Sequence, residues 1–515
     1  MTKPIFKRYA QEQPMLLPPN LEEMIPEGHL VRVVNKMLGQ IDLEPLIKQY
    51  KGGGTSAYHP KMLLKVIVYA YTQRTYSSRQ IAKALRENVN YMWLSGMNRP
   101  DHRTVNRFRG TKMKEVIGEV FYGVIGQLIE GGYIRMEDYF CDGTKIEANA
   151  NRYSFVWRKS SEKHQANLQE KVHKLLEDID ELETAEEEEY GENDLEEVGE
   201  GKKIDAEKLR EAVERINKRL TKDPKNKELK KAKRDLEKDY IPREEKYEEQ
   251  AKKFQGRNSY SKTDKDATFM RMKEDHMLNG QLKPEYNVQI GTENQFVVGY
   301  SIHQRPGDTG CLKGHLEQVK EMLGRYPTNL IADAGYGCEE NYTFLQENGV
   351  TAYVKYNTFH YEQKRRVKKN QPYRLENFTY VTENDEFICP EGNRLSYLFS
   401  RKCRSENGFV SSRRIYECQD CHSCPVREKC TKSQNHRRLY VGVDLQRLKK
   451  EAHDRLESAQ GKILRSRRPV EVEAVFGRLK QDWGFRRFLL RGLEKVNLEW
   501  GILCLAHNMA KVTVV

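Results

Sequence analysis

Two short apolar segments, each leading directly into an aspartate, constrain the fold of this chain more than any other feature. Tyr-Phe-Cys precedes Asp142, and Leu-Ile-Ala precedes Asp333. Short apolar runs of this kind are typical of buried strands, and an acidic residue at the end of such a strand lies at the edge of the sheet. A third acid, Glu473, lies in a segment with helical periodicity, Val-Glu-Ala-Val-Phe-Gly-Arg-Leu-Lys. We therefore expect two strands and one helix to deliver three carboxylates to one place.

Three carboxylates in one site need a cation, because like charges push each other toward protonation. Magnesium is suited to this role, since it takes a few carboxylates and fills its octahedron with water and phosphate oxygens. Two such ions can clamp the attacking and leaving oxygens of a phosphodiester during in-line displacement. The sequence therefore predicts a two-metal Mg²⁺ site with Asp142, Asp333 and Glu473 as its ligands, in which Mn²⁺ can substitute.

The segment around Glu473 has a buried face and a second, polar face. Apolar residues at i, i+3, i+4 and i+7 predict a buried stripe of Val472, Val475, Phe476 and Leu479. Glu473, Gly477 and Lys480 then share another face, where Gly477 leaves room for DNA and Lys480 can contact a phosphate. Glu471 stands in the same relation to Arg478, so spacing alone does not choose between the two acids.

These segments resemble the DDE transposases of bacterial insertion sequences, those related to IS4 and IS5 elements and most closely the IS1182 family. The resemblance covers nearly the whole chain and rests on the Asp142 strand, residues 332–336, residues 472–480 and a cysteine-rich insert between the last two. It implies an α/β fold with a ribonuclease-H-like catalytic core, a mixed β-sheet flanked by helices. It also chooses Glu473 over Glu471.

The activity that the resemblance implies is cut-and-paste transposition. Metal-dependent hydrolysis at terminal inverted repeats would be followed by transfer of the 3′-hydroxyl strand into target DNA, with a homodimer holding both ends in a synaptic complex. Two other functions stay open: a domesticated DNA-binding protein of transposase origin, and a ribonuclease-H-fold nuclease without strand transfer.

The family pattern also places a tyrosine and an arginine at fixed offsets before the glutamate, and in this chain the position four residues before Glu473 is Pro469. Arg467 and Arg468 lie just upstream. We count Arg468 among the DNA-contacting residues together with Arg478 and Lys480, but the departure leaves the role of the arginine unassigned.

The charge of the chain favours a nucleic-acid partner. Lys and Arg number 89 against 76 Asp and Glu, a net charge of +13, and residues 177–200 contain 14 acidic residues and no Lys or Arg. The rest of the chain is therefore more basic than the total suggests. A strongly basic surface attracts a polyanion such as double-stranded DNA, and its binding depends on salt. The alternative is a generic solubility surface.

A chain of 515 residues is expected to form several domains, because single cores seldom exceed about 250–300 residues. We predict an N-terminal all-α DNA-binding domain (1–125), the catalytic core (133–157, 268–357 and 443–515), a charged helical-hairpin insertion (158–267) and a cysteine-rich insertion (358–442). The sequence has no signal-like amino terminus and no apolar run of about 18 residues. We therefore expect a protein of the bacterial cytoplasm, associated with the nucleoid and without a membrane partner.

The predicted elements of the core follow the order β-β-β-α-β-α-β-α. After the Asp142 strand, residues 286–303 alternate apolar and polar side chains around a turn at 291–294, which predicts a β-hairpin. A helix at 312–323, a strand ending at Asp333, a helix and a strand at 351–356 follow. This order would place Asp142 and Asp333 on neighbouring strands. Asp308, just after the hairpin, is interpreted as a turn and helix-cap residue rather than a fourth ligand.

Two segments near residue 100 suggest a helix-turn-helix arrangement. The first begins at Ser77 as a helix cap, and the second begins at Asp101. On the second helix Arg103 and Arg107 are one turn apart and can face a DNA groove. An ordinary helical bundle explains the same pattern.

The helical-hairpin insertion is predicted from two apolar stripes at helical spacing. They comprise Leu175, Leu176, Ile179 and Leu182 in the first arm and Leu209, Val213, Ile216 and Leu220 in the second. The insertion could hold a second subunit or flanking DNA, or be a solvated insertion without a dedicated role.

Five cysteines in the second insertion suggest a structural zinc ion. They are Cys389 and the C-x2-C-x2-C-x5-C series Cys418, Cys421, Cys424 and Cys430. Tetrahedral zinc takes four thiolate or imidazole ligands, and His422 also competes for a position. We favour Cys389, Cys421, Cys424 and Cys430, with Cys418 in reserve; buried free thiols are the alternative.

Overall fold

The computed structural model describes residues 20–48, 50, 56–190, 204–272, 281–363, 372–421 and 423–513, with the backbone alone at 180–190 and 361. Strands occupy three sheets. In chain order the described strands are β1 (Asp138–Glu147), β2 (Phe155–Trp157), β3 (Ser259–Ser261), β4 (Thr268–Arg271), β5 (Leu282–Glu293), β6 (Phe296–His303), β7 (Asn329–Ala332), β8 (Thr351–Val354), β9 (Thr379–Val381), β10 (Glu386–Ile388), β11 (Arg394–Arg404), β12 (Val410–Cys418) and β13 (Arg438–Val441).

The central sheet is mixed. β5 pairs antiparallel with β1, β6 and the short β4, while β1, β7 and β8 pair parallel to one another in that order. The prediction that the Asp142 and Asp333 strands are neighbours is confirmed, because β1 and β7 are in register at Phe140 and Ile331. A mixed sheet of this kind, flanked by helices, is consistent with a ribonuclease-H-like DDE domain.

The hairpin between β5 and β6 forms, but its turn was predicted too early. β5 continues through Gly291 to Glu293, and the turn consists of Asn294 and Gln295, whose φ angles are 52° and 62°. Two consecutive positive φ angles match the twist of a tight two-residue hairpin. Gly291 instead serves packing, because a Cβ at this position would collide with the ring of Tyr139.

Helices cover both faces of the central sheet. The described α-helices that follow β6 are Leu312–Leu323, Glu339–Glu347, Phe359–Gln363, Arg427–Cys430, Val443–Glu457, Ala459–Arg468, Ala474–Gly477 and Leu493–Val512. The Leu493–Val512 helix packs on β6 and is buried along most of its length. In the described residues, no helix is both long and apolar enough to cross a membrane.

The N-terminal region is helical, as predicted. Its α-helices are Leu30–Gly39, Glu44–Ile47, Pro60–Thr72, Ser78–Glu87, Val89–Leu94, His102–Arg107 and Ile117–Glu130. They share one hydrophobic core with the central sheet and the Leu493–Val512 helix. Two hydrogen bonds add to this packing: a buried one from Tyr71 Oη to Glu499 Oε1 at 3.1 Å and a partly buried one from Tyr76 Oη to the Trp483 carbonyl at 2.9 Å.

The suggested helix-turn-helix pair contains an additional helix. Ser78–Glu87 and His102–Arg107 pack together, but Val89–Leu94 lies between them, capped by Asn88. The predicted Ser77 cap makes no side-chain hydrogen bond. The prediction of a short turn between the two helices is therefore wrong, because Asn88 caps a new helix directly after the first one ends.

The first insertion is larger than the predicted hairpin. Its described α-helices are Arg158–Tyr190, Ala206–Lys222, Lys227–Asp235 and Ile241–Phe254. The two predicted stripes do pack together, and Leu229, Leu236 and Ile241 of the following helical arm join the same core. The side chain of Leu182 and most of the acidic turn at 186–201 lie outside the described residues.

The second insertion contains an antiparallel sheet with strand order β13-β12-β11-β10-β9. Phe378, Phe387, Leu395, Tyr416 and Leu439 form its separate small core, together with cysteines. The cysteine-rich insertion therefore contains a small sheet in addition to the cysteines considered as metal ligands.

Candidate active site

Asp142 lies within β1, and Asp333 follows β7, the parallel strand that pairs with β1. Asp142 Oδ1 accepts a hydrogen bond from the Gly143 N–H at 2.9 Å. Asp333 directly follows β7 and caps a short 3₁₀ turn, Ala334–Tyr336, by accepting from the Gly335 N–H at 2.8 Å. Both carboxylates are therefore oriented by local backbone groups.

Glu473 lies on a continuous helical segment, residues 459–482, which we call the Glu473 helix. Pro469–Glu473 and Arg478–Asp482 are π-helical turns, and α-helical residues precede and separate them. The predicted stripe is confirmed, because Val472, Val475, Phe476 and Leu479 are all buried. Glu473 projects from another face, with 49% of its side chain exposed.

One guanidinium group contacts all three acids. Arg468 Nη2 lies 2.9 Å from Asp142 Oδ2 and 3.8 Å from Asp333 Oδ2, and Nη1 lies 2.6 Å from Glu473 Oε1. Only 12% of the arginine side chain is exposed, and its Nε is buried without an acceptor among the described residues. The three carboxylates thus converge on a single positive charge.

Glu471 has a different environment from Glu473. It is buried, its Oε2 accepts from the Gln295 N–H at 2.7 Å, and its Oε1 pairs with Arg467 at 3.0 Å. Arg467 also pairs with Asp138 Oδ2 at 3.0 Å. Glu471 therefore fastens the Glu473 helix to the central sheet and faces away from Asp142 and Asp333.

The donor set at the convergence point suits Mg²⁺. Its atoms are carboxylate oxygens, the ligands that this ion prefers, and they surround a centre that already attracts a cation. The guanidinium of Arg468 occupies that centre, and among the described residues no group of three or more His, Cys, Asp or Glu side chains is arranged as a metal site. Metal binding by these acids therefore requires Arg468 to move.

Asp308 lies beside this site, in the predicted turn, whose Cys311 N–H donates to the Asp308 carbonyl at 2.9 Å, but the prediction that it caps a helix is wrong. Cys311, not Asp308, precedes the Leu312–Leu323 helix. Asp308 Oδ1 accepts from Asn287 Nδ2 at 2.8 Å and from Gln289 Nε2 at 2.9 Å. These amides, from one face of β5, draw the carboxylate against Gly143, where a Cβ would collide with it.

Lys355 is a basic residue near the acids that sequence reasoning missed. It follows β8 directly, and burial, reinforced by Arg468 and Arg465, lowers the pKa of its ammonium group, while Asp333 and Glu473 act in the opposite direction. The available signal was its position at the end of the parallel strand next to β7. The rule that located Asp333 applies equally to Lys355.

Two family models match the chain. The model described as Transposase DDE domain matches residues 388–513, which include the Glu473 helix. The model described as Transposase domain (DUF772) matches residues 19–111, the N-terminal helices. The chain contains a transposase DDE domain. No curated protein is a significant match.

The two matches confirm the resemblance to DDE transposases and are consistent with the IS1182 type. A DDE domain belongs to enzymes that cleave DNA and transfer strands, and these enzymes use a divalent metal, generally Mg²⁺. The matches therefore support a DNA-cleaving and strand-transfer enzyme, and they are consistent with a DNA partner.

The predicted DNA-contacting residues fall into three places around the DDE domain. Lys480 lies beside the acids and donates to Thr144 Oγ1 at 3.2 Å. Arg478 lies on the Glu471 side of the helix, half-buried and 5.5 Å from the Trp483 ring centroid. Arg103 and Arg107 are exposed on the N-terminal helices and form no ion pair with a described acidic residue. The structure therefore brings Arg468 and Lys480 to the acids, and leaves the other three elsewhere.

Five of the six cysteines of the second insertion line one small cavity, and Cys403 does not. Cys389 Sγ accepts from the Asn393 N–H at 3.3 Å, and Cys421 Sγ accepts from the Arg437 N–H at 3.3 Å. Cys418 instead donates its S–H to the Asp420 carbonyl at 3.6 Å, and burial raises its pKa to about 12. His422 lies outside the described residues. Two of the sulfurs thus already accept backbone hydrogen bonds.

Proposed function

We propose that this transposase catalyses cut-and-paste transposition, by cleaving DNA at terminal inverted repeats and joining the freed 3′-hydroxyl to target DNA. The observation that carries the proposal is the single guanidinium of Arg468, which contacts carboxylates from β1, from the end of β7 and from the Glu473 helix. Three acids that need a cation, beside two lysines, form a site for a phosphodiester.

Asp142, Asp333 and Glu473 would hold two Mg²⁺ ions, or Mn²⁺ in their place. Ions bound there supply the positive charge that stabilises an in-line phosphodiester displacement. Arg468, released from the acids, can bind a non-bridging phosphate oxygen, since a guanidinium matches phosphate geometry. Lys480 holds the strand from the same helix, and Gly477 leaves space for it, because a Cβ there would meet nothing within 4 Å.

The proposal assigns recognition of the inverted repeats to the N-terminal helices, where Arg103 and Arg107 are exposed next to the buried Val105 and Phe108. A homodimer is proposed because an element has two ends that must be held together. The enzyme would then act on the DNA of the bacterial nucleoid.

We also propose a structural zinc ion for the cysteine cluster. Cys389 and Cys421 accept backbone hydrogen bonds, which stabilise a thiolate, and Cys424 and Cys430 line the same cavity. Cys418 donates a hydrogen bond and is left as a thiol. Tetrahedral zinc needs four ligands of this type, and it would close the loop-rich side of the small sheet.

The test is cleavage of a DNA fragment that carries the end of the element, with Mg²⁺ or Mn²⁺. Wild type should nick at the end, and Asp142→Asn, Asp333→Asn and Glu473→Gln should each abolish nicking while DNA binding persists. Glu471→Gln is the matched control and should still nick. Persistent nicking by Glu473→Gln would remove Glu473 from the site.

A target plasmid in the same reaction separates the remaining functions. Joined products show strand transfer, whereas nicking without joining indicates a nuclease of the same fold. Binding without any nicking by folded wild type indicates a DNA-binding protein of transposase origin.

A further inference from the structure

The β11–β12 hairpin, residues 394–418, contributes side chains to the core of the second insertion at its base, and we call it the basic hairpin. Residues 397–402 are all exposed, although successive residues of a strand point to opposite faces. On β11 both faces are therefore open to solvent over this stretch, whereas Ile415 and Tyr416, opposite on β12, are buried. Toward the turn, residues 400–402 and 412–413 are exposed on both strands, and a two-stranded ribbon has the dimensions to enter the major groove of duplex DNA.

Four basic side chains of the basic hairpin form no ion pair within the described residues, although Arg413 acts electrostatically on Glu339. Arg401, Lys402, Arg404 and Arg413 have no acidic side chain within ion-pair distance there, whereas Arg414 pairs with Asp385. Arg401 lies directly opposite Arg413 in the antiparallel register. Like charges that face each other across two strands destabilise a sheet. This pair is therefore unfavourable in the free protein and becomes favourable beside a polyanion.

The turn of the basic hairpin is fixed next to the active site. Asn407 Oδ1 accepts from Arg305 Nη1 at 2.9 Å, and Asn407 Nδ2 donates to Glu340 at 3.1 Å. Arg305 begins the loop that contains Thr309, whose hydroxyl donates to the Gly335 carbonyl at 2.7 Å. Because Gly335 is two residues after Asp333, a DNA strand in the active site has the basic hairpin beside it.

We infer that the basic hairpin is a second DNA-binding element, which holds duplex DNA next to the active site through phosphate contacts from Arg401, Lys402 and Arg413. This rests on the proposed function only in taking DNA as the substrate. Leu398, Phe399 and Val410 are exposed apolar side chains that would suit a second copy of the chain. They do not explain why four basic side chains of the hairpin form no ion pair among the described residues.

The test is binding of the full chain to a fluorescein-labelled duplex of random sequence, in EDTA, measured by fluorescence anisotropy over a series of salt concentrations. The variant combines Arg401→Gln, Lys402→Gln and Arg413→Gln. Each lost phosphate contact lowers the slope of log K against log salt by about 1, so the slope should fall by about 2 to 3. The dissociation constant should rise by about tenfold or more at low salt.

The same variant has a readout that a structural role would not give. Removing the Arg401–Arg413 repulsion should leave the unfolding temperature unchanged or higher. The matched control is Lys225→Gln, Lys227→Gln and Lys230→Gln, three exposed lysines of the first insertion, which removes the same charge. An equal loss of binding in this control would overturn the inference, since net charge would then explain the effect.

Two further outcomes would also overturn it. One is an unchanged salt slope in the hairpin variant; the other is loss of self-association, measured by sedimentation velocity, with DNA binding intact. Asp142→Asn should bind the random duplex as wild type does while losing nicking. Failure of the hairpin inference is therefore distinguishable from failure of the proposed catalytic site.

Discussion

Arg468 contacts Glu473 across five residues of the same helix, with Nη1 2.6 Å from Oε1. In an α-helix, side chains three and four residues apart are neighbours, so this pair would diverge. The backbone from Pro469 to Glu473 is a π turn, which closes hydrogen bonds over five residues. The π turn therefore returns Arg468 to the face of Glu473.

Arg468→Ala should destabilise the metal-free protein by about 1 to 3 kcal/mol, because three converging carboxylates lose their shared cation. Mg²⁺ should then raise the unfolding temperature more than it does in wild type, since no guanidinium has to be displaced. Differential scanning fluorimetry in EDTA and across a Mg²⁺ titration measures both effects.

Arg467→Ala is the matched control for this prediction. Arg467 pairs with Asp138 and Glu471 rather than with the three acids, so its loss should destabilise the protein equally with and without Mg²⁺. If Arg468→Ala showed the same Mg²⁺ response as wild type, the metal would bind somewhere other than the point where the acids converge.

Glu471 and Glu473 should give opposite results when each is changed to alanine. Glu471→Ala leaves the partly buried Gln295 N–H without its acceptor and Arg467 without one of its ion-pair partners, and should cost about 1 to 3 kcal/mol of stability, with nicking retained by the folded fraction. Glu473→Ala should abolish nicking with little change in the urea unfolding midpoint. A Glu471→Ala protein that is stable but inactive would reverse the assignment of the two acids.

The periodicity of apolar residues was sufficient to predict features that depend on a single helix or strand. The 312–323 helix forms between the predicted residues, and the stripe that begins at Val472 is buried as its spacing predicts. The β1–β7 neighbourhood also followed from the order of elements, because that order matches the ribonuclease-H-like plan, in which these two strands are expected to be neighbours. These features depend on side-chain patterning that the sequence displays.

The remaining features depend on backbone hydrogen bonding or on distant partners. No residue type indicates a π turn in a sequence, so the contact between Arg468 and Glu473 could not be derived from their spacing. Asp308 was assigned to a cap because its own loop looks like one, but the amides that fix it, Asn287 and Gln289, come from another strand. Such contacts appear only once the sheet register is known.

The cysteine cluster should contain one zinc ion per chain, measured by inductively coupled plasma mass spectrometry on protein purified without chelators. Cys421→Ser should lose the metal and lower the unfolding temperature, because four ligands are needed. Cys418→Ser should keep it, since Cys418 donates its S–H to a carbonyl. Cys403→Ser, on β11 away from the cavity, is the control. If Cys418→Ser lost zinc and Cys421→Ser kept it, Cys418 would be a zinc ligand and Cys421 would not.

Glu285 should make the protein less stable as pH rises. This carboxyl is fully buried on β5, neither oxygen has a described partner, and burial raises its pKa to about 8. In the unfolded chain the pKa is about 4.3, so between these values the unfolded state binds fewer protons than the native state. The free energy of unfolding therefore falls as pH rises through this window and levels off above about pH 8.

Glu285→Gln keeps the shape of the protonated side chain and removes its titration. The variant should match wild type near pH 4 to 5 and exceed it near pH 8, by at most a few kcal/mol, since one pKa unit corresponds to about 1.4 kcal/mol. Urea unfolding midpoints at several pH values measure the difference. A difference that does not change with pH would show that Glu285 is already ionised in the native protein, stabilised by the nearby Lys145 and Lys283.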